Sequence, residues 1–309
     1  MHPEMSSQPD RDDRLCDSSL DDLYATPFTI SRPSRQLVPF VFASPHSGSC
    51  YPRSFSASSR LSSIALRRSE DAFVDELFAG VVSLGAPLIA ARFPRAFLDV
   101  NRAPGEIDPS MFEGRLSLPV EIPSSRVAAG LGVIPRIVRD GAEIYRARLP
   151  ASAASDRLRL LYEPYHRALA GLVAETLDQF GVAVLIDCHS MPSAAAIPDI
   201  VLGDRYGASA VPSLTRHAET SFQFRGFRVA RNMPYAGGYT TLLHGRRDSG
   251  VHALQIEVNR MIYLDEENIV RAPQFASAQA CLQSALQDLV AIAPSQLGRP
   301  QQSLRYAAE

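Results

Sequence analysis

No lysine occurs anywhere in the 309 residues, so all 31 basic side chains are arginine. That absence removes Schiff-base and lysine-nucleophile chemistry, and with it the phosphate-gripping lysine of a P-loop. Recognition of an anion then falls to arginine, backbone amides or helix N-termini. Cysteine is scarce too. Cys16, Cys50, Cys188 and Cys281 lie far apart and include no C-x-x-C pair, which argues against a disulfide framework and a thiolate zinc site and for a reducing compartment. No run approaches the ~18 uninterrupted apolar residues of a membrane span, and residues 1–25 are polar and rich in Asp and Ser, without the apolar stretch of a signal peptide. The expectation is a cytoplasmic protein with a disordered N-terminal tail over 1–25. A net charge of −2 and a pI near 6.4 leave no basic field of the kind phosphate binding requires, and the arginines of 225–231 and 246–247 form no extended face. Neither nucleic acid nor membrane is expected as a partner, and a small molecule is.

What is present is a 46% hydrophobic chain, enough to bury a large core. Short apolar runs predict strands at Pro39–Ser44, Pro87–Phe93, Ala96–Val100, Val182–Asp187, Phe227–Ala230 and His252–Val258. Helical spacing predicts helices over Ser69–Leu84 with Ser69 as N-cap, over Pro164–Phe180 ending at Gly181, and over Pro273–Ala291. Residues 102–126 read as a long loop, and no internal repeat is visible. Strands alternating with helices indicate one α/β domain over 26–295, its sheet covered by helices on both faces, with a C-terminal tail over 296–309.

In such sheets the site lies beyond the carboxyl ends of the strands, and SPHSG (44–48), DVNR (99–102), DCHS (187–190) and EVNR (257–260) each follow a predicted strand. His46, in a tight small-residue turn, suits a ligand or a base, or else a turn histidine bonded to backbone. His189 follows a buried run, with Asp187 two residues earlier on the same side, able to orient it. A catalytic zinc site commonly adds a carboxylate to two histidines and leaves a position for water. Asp71 is favoured for that carboxylate, with Asp75 as the alternative and stabilisation of the helix dipole as the competing role. Glu257, acidic at the end of an apolar strand, is the candidate base, or else a partner of Arg260. Of Arg95 and Arg102, one could stabilise an oxyanion while the other, with Asn101, could clamp a carboxylate. Gly237-Gly238-Tyr239-Thr240-Thr241 reads as a flexible loop whose Tyr239 and Thr240 could line the pocket.

The ordered motifs SPHSGSCYP, SEDAFVDELF, FPRAFLDVNR, YEPYHRAL, LIDCHSMPS, PDIVLGDRYG, YAGGYTT and GVHALQIEVNRMIYLDE resemble, over about residues 38–292, the N-formylglutamate amidohydrolase family. That family is similar to zinc carboxypeptidases and aspartoacylase. The resemblance implies a phosphorylase/hydrolase-like three-layer α/β sandwich with a mixed sheet, and zinc held by His46, His189 and a carboxylate. It also implies Glu257 as general base, Arg95 polarising the carbonyl and Asn101 with Arg102 holding a substrate carboxylate. The implied reaction is hydrolysis of N-formyl-L-glutamate to formate and glutamate, a step of histidine degradation. The related enzymes carry a glutamate three residues after the first histidine, where this chain has Ser49, so Asp71 or Asp75 must replace it. The glycine motif usually continues with an arginine and a histidine, where this chain has Leu242 and Leu243 before His244. A carboxypeptidase-like enzyme, another N-acyl-amino-acid hydrolase, or a non-catalytic protein binding an acidic metabolite are the competing readings.

Overall fold

The apolar runs of the sequence assemble into one seven-stranded sheet in this computed structural model, which describes residues 19–298 except 122, 123, 139, 140 and 195. Its strands are β1 (Phe28–Ser31), β2 (Phe40–Ser44), β3 (Leu88–Ala91), β4 (Ala183–Met191), β5 (Ile200–Gly203), β6 (Val229–Arg231) and β7 (Val251–Asn259), in the order β1-β3-β2-β4-β7-β5-β6. Strands β3, β2, β4 and β7 run parallel, whereas β1 and β5 are antiparallel to β3 and β7. The sheet is therefore mixed. Every residue of β2, β4 and β7 is buried, which is why these strands read as continuous apolar runs rather than alternating ones.

The alternation of side chains across a strand divides the core in two. Val41, Ala43, Leu185 and Ala253 pack with Tyr165, Leu169 and Leu172 of a long helix over Glu163–Phe180. Phe40, Phe42, Ile186 and Ile256 pack on the other face, with Leu214 and Phe222 of the helix Pro212–Phe224 and Leu282 and Leu286 of the helix Phe275–Val290. Helices cover both faces, giving the three layers expected. Asp187, His189, Gln255 and Glu257 share the parity of Leu185 and Ala253, so they emerge on the face of the Glu163–Phe180 helix.

Residues 187–190 and 257–260 do not all follow their strands: pairing of β4 with β7 continues to Met191 opposite Asn259, so His189 and Glu257 are strand residues directly opposite one another. Ala96–Val100 is no strand. Its residues turn away at Pro94, with the amides of Phe97 and Leu98 bonded to the Pro94 carbonyl, and its apolar side chains are buried through other contacts, Arg157 lying 3.8 Å over the Phe97 ring. The helix expected over Ser69–Leu84 is broken into Val74–Leu77 and a 3-10 turn, Ala79–Val82, because Phe73 adopts a left-handed φ of 62° and the Asp71 amide donates to His46 O rather than within a helix. Tyr239–Thr241 is not a loop but the start of a short helix, Tyr239–His244. Within the stretch read as a tail, Leu20–Ala25 is helical, closed by a Ser19/Asp22 capping box with Leu23 buried. Leu297, in the expected C-terminal tail, is also buried, its carbonyl 2.6 Å from His252 Nε2. Residues 1–18, with Cys16, and 299–309 lie outside the described residues. Among the described residues, no helix is long and apolar enough to cross a membrane.

Candidate active site

The turn after β2 presents His46. A Cβ on Gly48 would sit 2.2 Å from the Phe93 carbonyl, so only glycine lets this turn lie against the exit of β3. Across from it, β4 presents His189, and the irregular segment before Phe73 presents Asp71. The three side chains are buried, and their ligand atoms lie within 4.8 Å of one another. Asp71 Oδ2 stands 3.0 Å from His189 Nδ1 and 3.4 Å from His46 Nδ1. Asp75, on the Val74–Leu77 turn, does not join the cluster, and no ligand comes from Ser49.

The outer nitrogen of each histidine meets a carboxylate. His46 Nε2 is 2.7 Å from Asp99 Oδ1, and His189 Nε2 is 2.9 Å from Asp187 Oδ2. With a cation between the rings, each Nε2 would carry its proton toward a carboxylate and each Nδ1 lone pair would face the ion beside Asp71. His46 Nδ1 is buried with no hydrogen-bond partner among the described residues. Two imidazole nitrogens and one carboxylate oxygen, each imidazole backed by a second carboxylate, form a donor set that suits a divalent cation such as zinc. Burial alone would raise the Asp71 pKa, but the His189 and His46 imidazoles beside it hold it well below the carboxylate range. Its other oxygen accepts from Arg260 Nη2 at 3.0 Å and from Ser190 Oγ at 3.1 Å. Arg260 thus pairs with Asp71 and Glu266, and not with Glu257.

Glu257 lies beside His189 on β7. Gln255 Nε2 donates to Glu257 Oε1 at 2.7 Å, while Gln255 Oε1 accepts from the Gly238 amide at 2.8 Å. Burial raises the Glu257 pKa to about 7, with His189 opposing the shift. Such a carboxyl is suited to exchanging protons near neutrality. Arg95 is anchored through Nε to Asp99 Oδ2 at 3.0 Å, and its terminal nitrogens have no protein acceptor among the described residues.

His46, Asp71, His189, Glu257, Arg95, Asn101 and Arg102 all line one cavity of about 570 Å³. Asn101 is held by the protein on both ends. Its Oδ1 accepts from the Thr240 amide at 2.8 Å, and its Nδ2 lies 3.3 Å from Asp187 Oδ2 and 3.0 Å from His189 Nε2. Its geometry braces the histidine as much as it faces the cavity. Tyr239 and Thr240 do not line the cavity, and the Thr240 amide instead holds Asn101. Leu242 and Leu243 project to solvent from the same helix, outside the cavity wall. Asp99, in the DVNR motif but given no role from sequence, connects His46, Arg95 and the Asn101 amide. Its signal was an acid inside an apolar run.

Gly238 explains the glycine pair. A Cβ there would meet the Asn101 amide at 2.4 Å. Gly238→Ala is expected to displace Asn101, loosen His189 and weaken metal binding by about 10- to 100-fold, the usual effect of disturbing such supports. Competition with a chromophoric chelator measures it, and an unchanged affinity contradicts the bracing role.

Two further histidines, His166 and His244, lie outside the cavity lining, their rings stacked with centroids 6.3 Å apart. Each is lowered to about 4, chiefly by burial, with the His166 charge contributing at His244. Both lie below the ~6.5 of an unfolded histidine, so the folded chain binds fewer protons between those values. Their stability contribution is complete above pH ~6.5 and is lost as pH falls toward 4, on the order of 3 kcal/mol for His244. Melting temperature is expected to drop over that range, with a shallower slope in His244→Gln. Parallel slopes for wild type and variant would contradict it.

The sequence profile of the family described as N-formylglutamate amidohydrolase matches residues 38–264. An N-formylglutamate deformylase of Pseudomonas aeruginosa is 29% identical over 269 residues, spanning 83% of this chain and 94% of that protein. One from Pseudomonas putida is 26% identical over 232 residues, covering 72% and 81% of the two chains. A crystal structure of N-formylglutamate amidohydrolase from Ralstonia eutropha JMP134 superposes with a TM-score of 0.79 and 35% identity, covering 85% of this chain and 96% of the other.

Proposed function

Because the chain belongs to the N-formylglutamate amidohydrolase family and is on that ground a hydrolase, we propose that it cleaves the amide of an acidic N-acyl amino acid, with zinc held by His46, Asp71 and His189. N-formyl-L-glutamate, giving formate and L-glutamate, is the first substrate to expect, since the deformylases similar to this chain carry that name. The observation that carries the reading is the convergence of His46 Nδ1, His189 Nδ1 and Asp71 Oδ2 beside Glu257. When bound, zinc supplies Lewis acidity that lowers the pKa of a water nucleophile and polarises the scissile carbonyl.

The chain's own residues do the rest. Glu257, one oxygen fixed by Gln255, accepts the proton of the attacking water and returns it to the departing amine. Arg95, fixed on Asp99, offers its terminal N–H groups to the oxygen on which charge develops. Asp99 and Asp187 hold both imidazoles with their inner nitrogens free to ligate. Arg102 lines the cavity with Nε bonded to the Leu131 carbonyl at 3.0 Å, a fixed cation for a substrate carboxylate.

Formate release from N-formyl-L-glutamate, before and after chelation and with zinc restored, tests the proposal. Turnover that chelation removes and zinc restores supports it. Turnover indifferent to chelation would overturn the metal. Absence of turnover with tight binding of the substrate would favour the non-catalytic binding protein.

A further inference from the structure

Five arginines line the cavity: Arg68, Arg95, Arg102, Arg126 and Arg260. Arg260 is bound to Asp71 and Glu266, Arg95 to Asp99, and Arg102 through Nε and Nη1 to the carbonyls of Leu131 and Asn101. Arg126 differs. It stands at the cavity rim, and no acceptor takes its guanidinium among the described residues. Burial is the largest cause that lowers the Arg102 pKa, Asp99 opposes it, and the charges of Arg95 and Arg126 add to it, so Arg102 and Arg126 repel. One residue ties them together, Leu131, whose amide donates to the Arg126 carbonyl at 2.8 Å and whose carbonyl accepts from Arg102 Nε at 3.0 Å. The segment from Arg126 to Ile137 closes on itself through the Arg136 amide and Gly130 carbonyl, 2.8 Å apart, and adds Leu131, Pro135 and Ile137 to the wall. One wall therefore combines an apolar strip with two like charges, of which Arg102 has Asp99 3.9 Å from its Nε and Arg126 has no acid paired with it among the described residues.

We propose that Arg126, with Arg102, forms a subsite for the side-chain carboxylate of the substrate, whose aliphatic stem lies on Leu131, Pro135 and Ile137. The inference rests on the reading of this cavity as an N-acyl-amino-acid hydrolase site. It makes Arg126 the residue that selects acidic over neutral side chains. A carboxylate placed between the two guanidiniums gains charge-assisted hydrogen bonds and relieves their repulsion, whereas an isosteric amide gains neither.

The test compares N-formyl-L-glutamate with N-formyl-L-glutamine in the wild type, Arg126→Gln and Arg126→Lys. Loss of one charge-assisted contact corresponds to about a 10- to 100-fold change. Arg126→Gln is expected to raise KM for the glutamate substrate by that factor with little change in kcat, collapsing the preference for glutamate over glutamine. Arg126→Lys recovers part of it. A purely structural role would lower both substrates' rates together, and that result, or an undiminished preference in Arg126→Gln, overturns the inference. Wild-type inactivity on both substrates would instead overturn the hydrolase reading. Calorimetric binding of glutarate then decides the subsite by itself: weakening in Arg126→Gln supports it, and equal binding overturns it.

Discussion

Glu257→Gln is expected to lower kcat on N-formyl-L-glutamate by about 10²- to 10⁴-fold while the protein keeps its metal, the range contributed by a single positioned acid or base. The substitution retains volume and can still contact Gln255, so the fold should tolerate it. What it removes is a carboxyl that burial holds near 7, directly opposite His189 in the sheet register. Because the group moves a proton rather than binding substrate, the loss should fall on kcat rather than KM. Steady-state kinetics together with metal analysis make the check. A variant within a few-fold of wild type would show that another group carries the proton.

Asp71→Ala is expected to remove both activity and metal. The change deletes one of three ligands and also strips Arg260, almost fully buried, of the carboxylate at its Nη2, leaving that nitrogen only the Glu70 carbonyl. Breaking a buried ion pair from one side costs about 3–5 kcal/mol, so a lower denaturant midpoint should accompany the metal loss. Asp71→Asn preserves shape and separates the two effects, losing metal with a smaller drop in stability. Asp75→Ala, from outside the cluster, should keep its metal. Metal retained by Asp71→Ala, or lost from Asp75→Ala, would contradict the ligand assignment.

The parts of this molecule legible in its sequence are those governed by local pattern. The buried runs of β2, β4 and β7 and the long helix ending at Gly181 read correctly because burial on both faces and a C-terminal glycine leave strong marks. His46, His189 and Glu257 stood out as polar groups at the ends of apolar runs. The segment around Asp71 was misread as helix for a physical reason: its spacing of apolar residues is helical, but tertiary contacts with His46, Ser190 and Arg260 pull Asp71 out of the helix and place Phe73 in a left-handed conformation. Tertiary contacts also govern Ala96–Val100, buried and apolar yet paired with no strand. The roles of Asp99 and Gln255 and the bracing of Asn101 depend on which segments meet in space, and nothing local in the chain records that.

One divalent cation is expected among His46, Asp71 and His189. Anomalous diffraction from a crystal, recorded on both sides of the zinc absorption edge, tests it most directly. The expected result is a single strong peak bonded to His46 Nδ1, His189 Nδ1 and Asp71 Oδ2, with Asp99 and Asp187 still on the outer nitrogens. A zinc-supplemented crystal with no peak there, or with the peak on other residues, would contradict it.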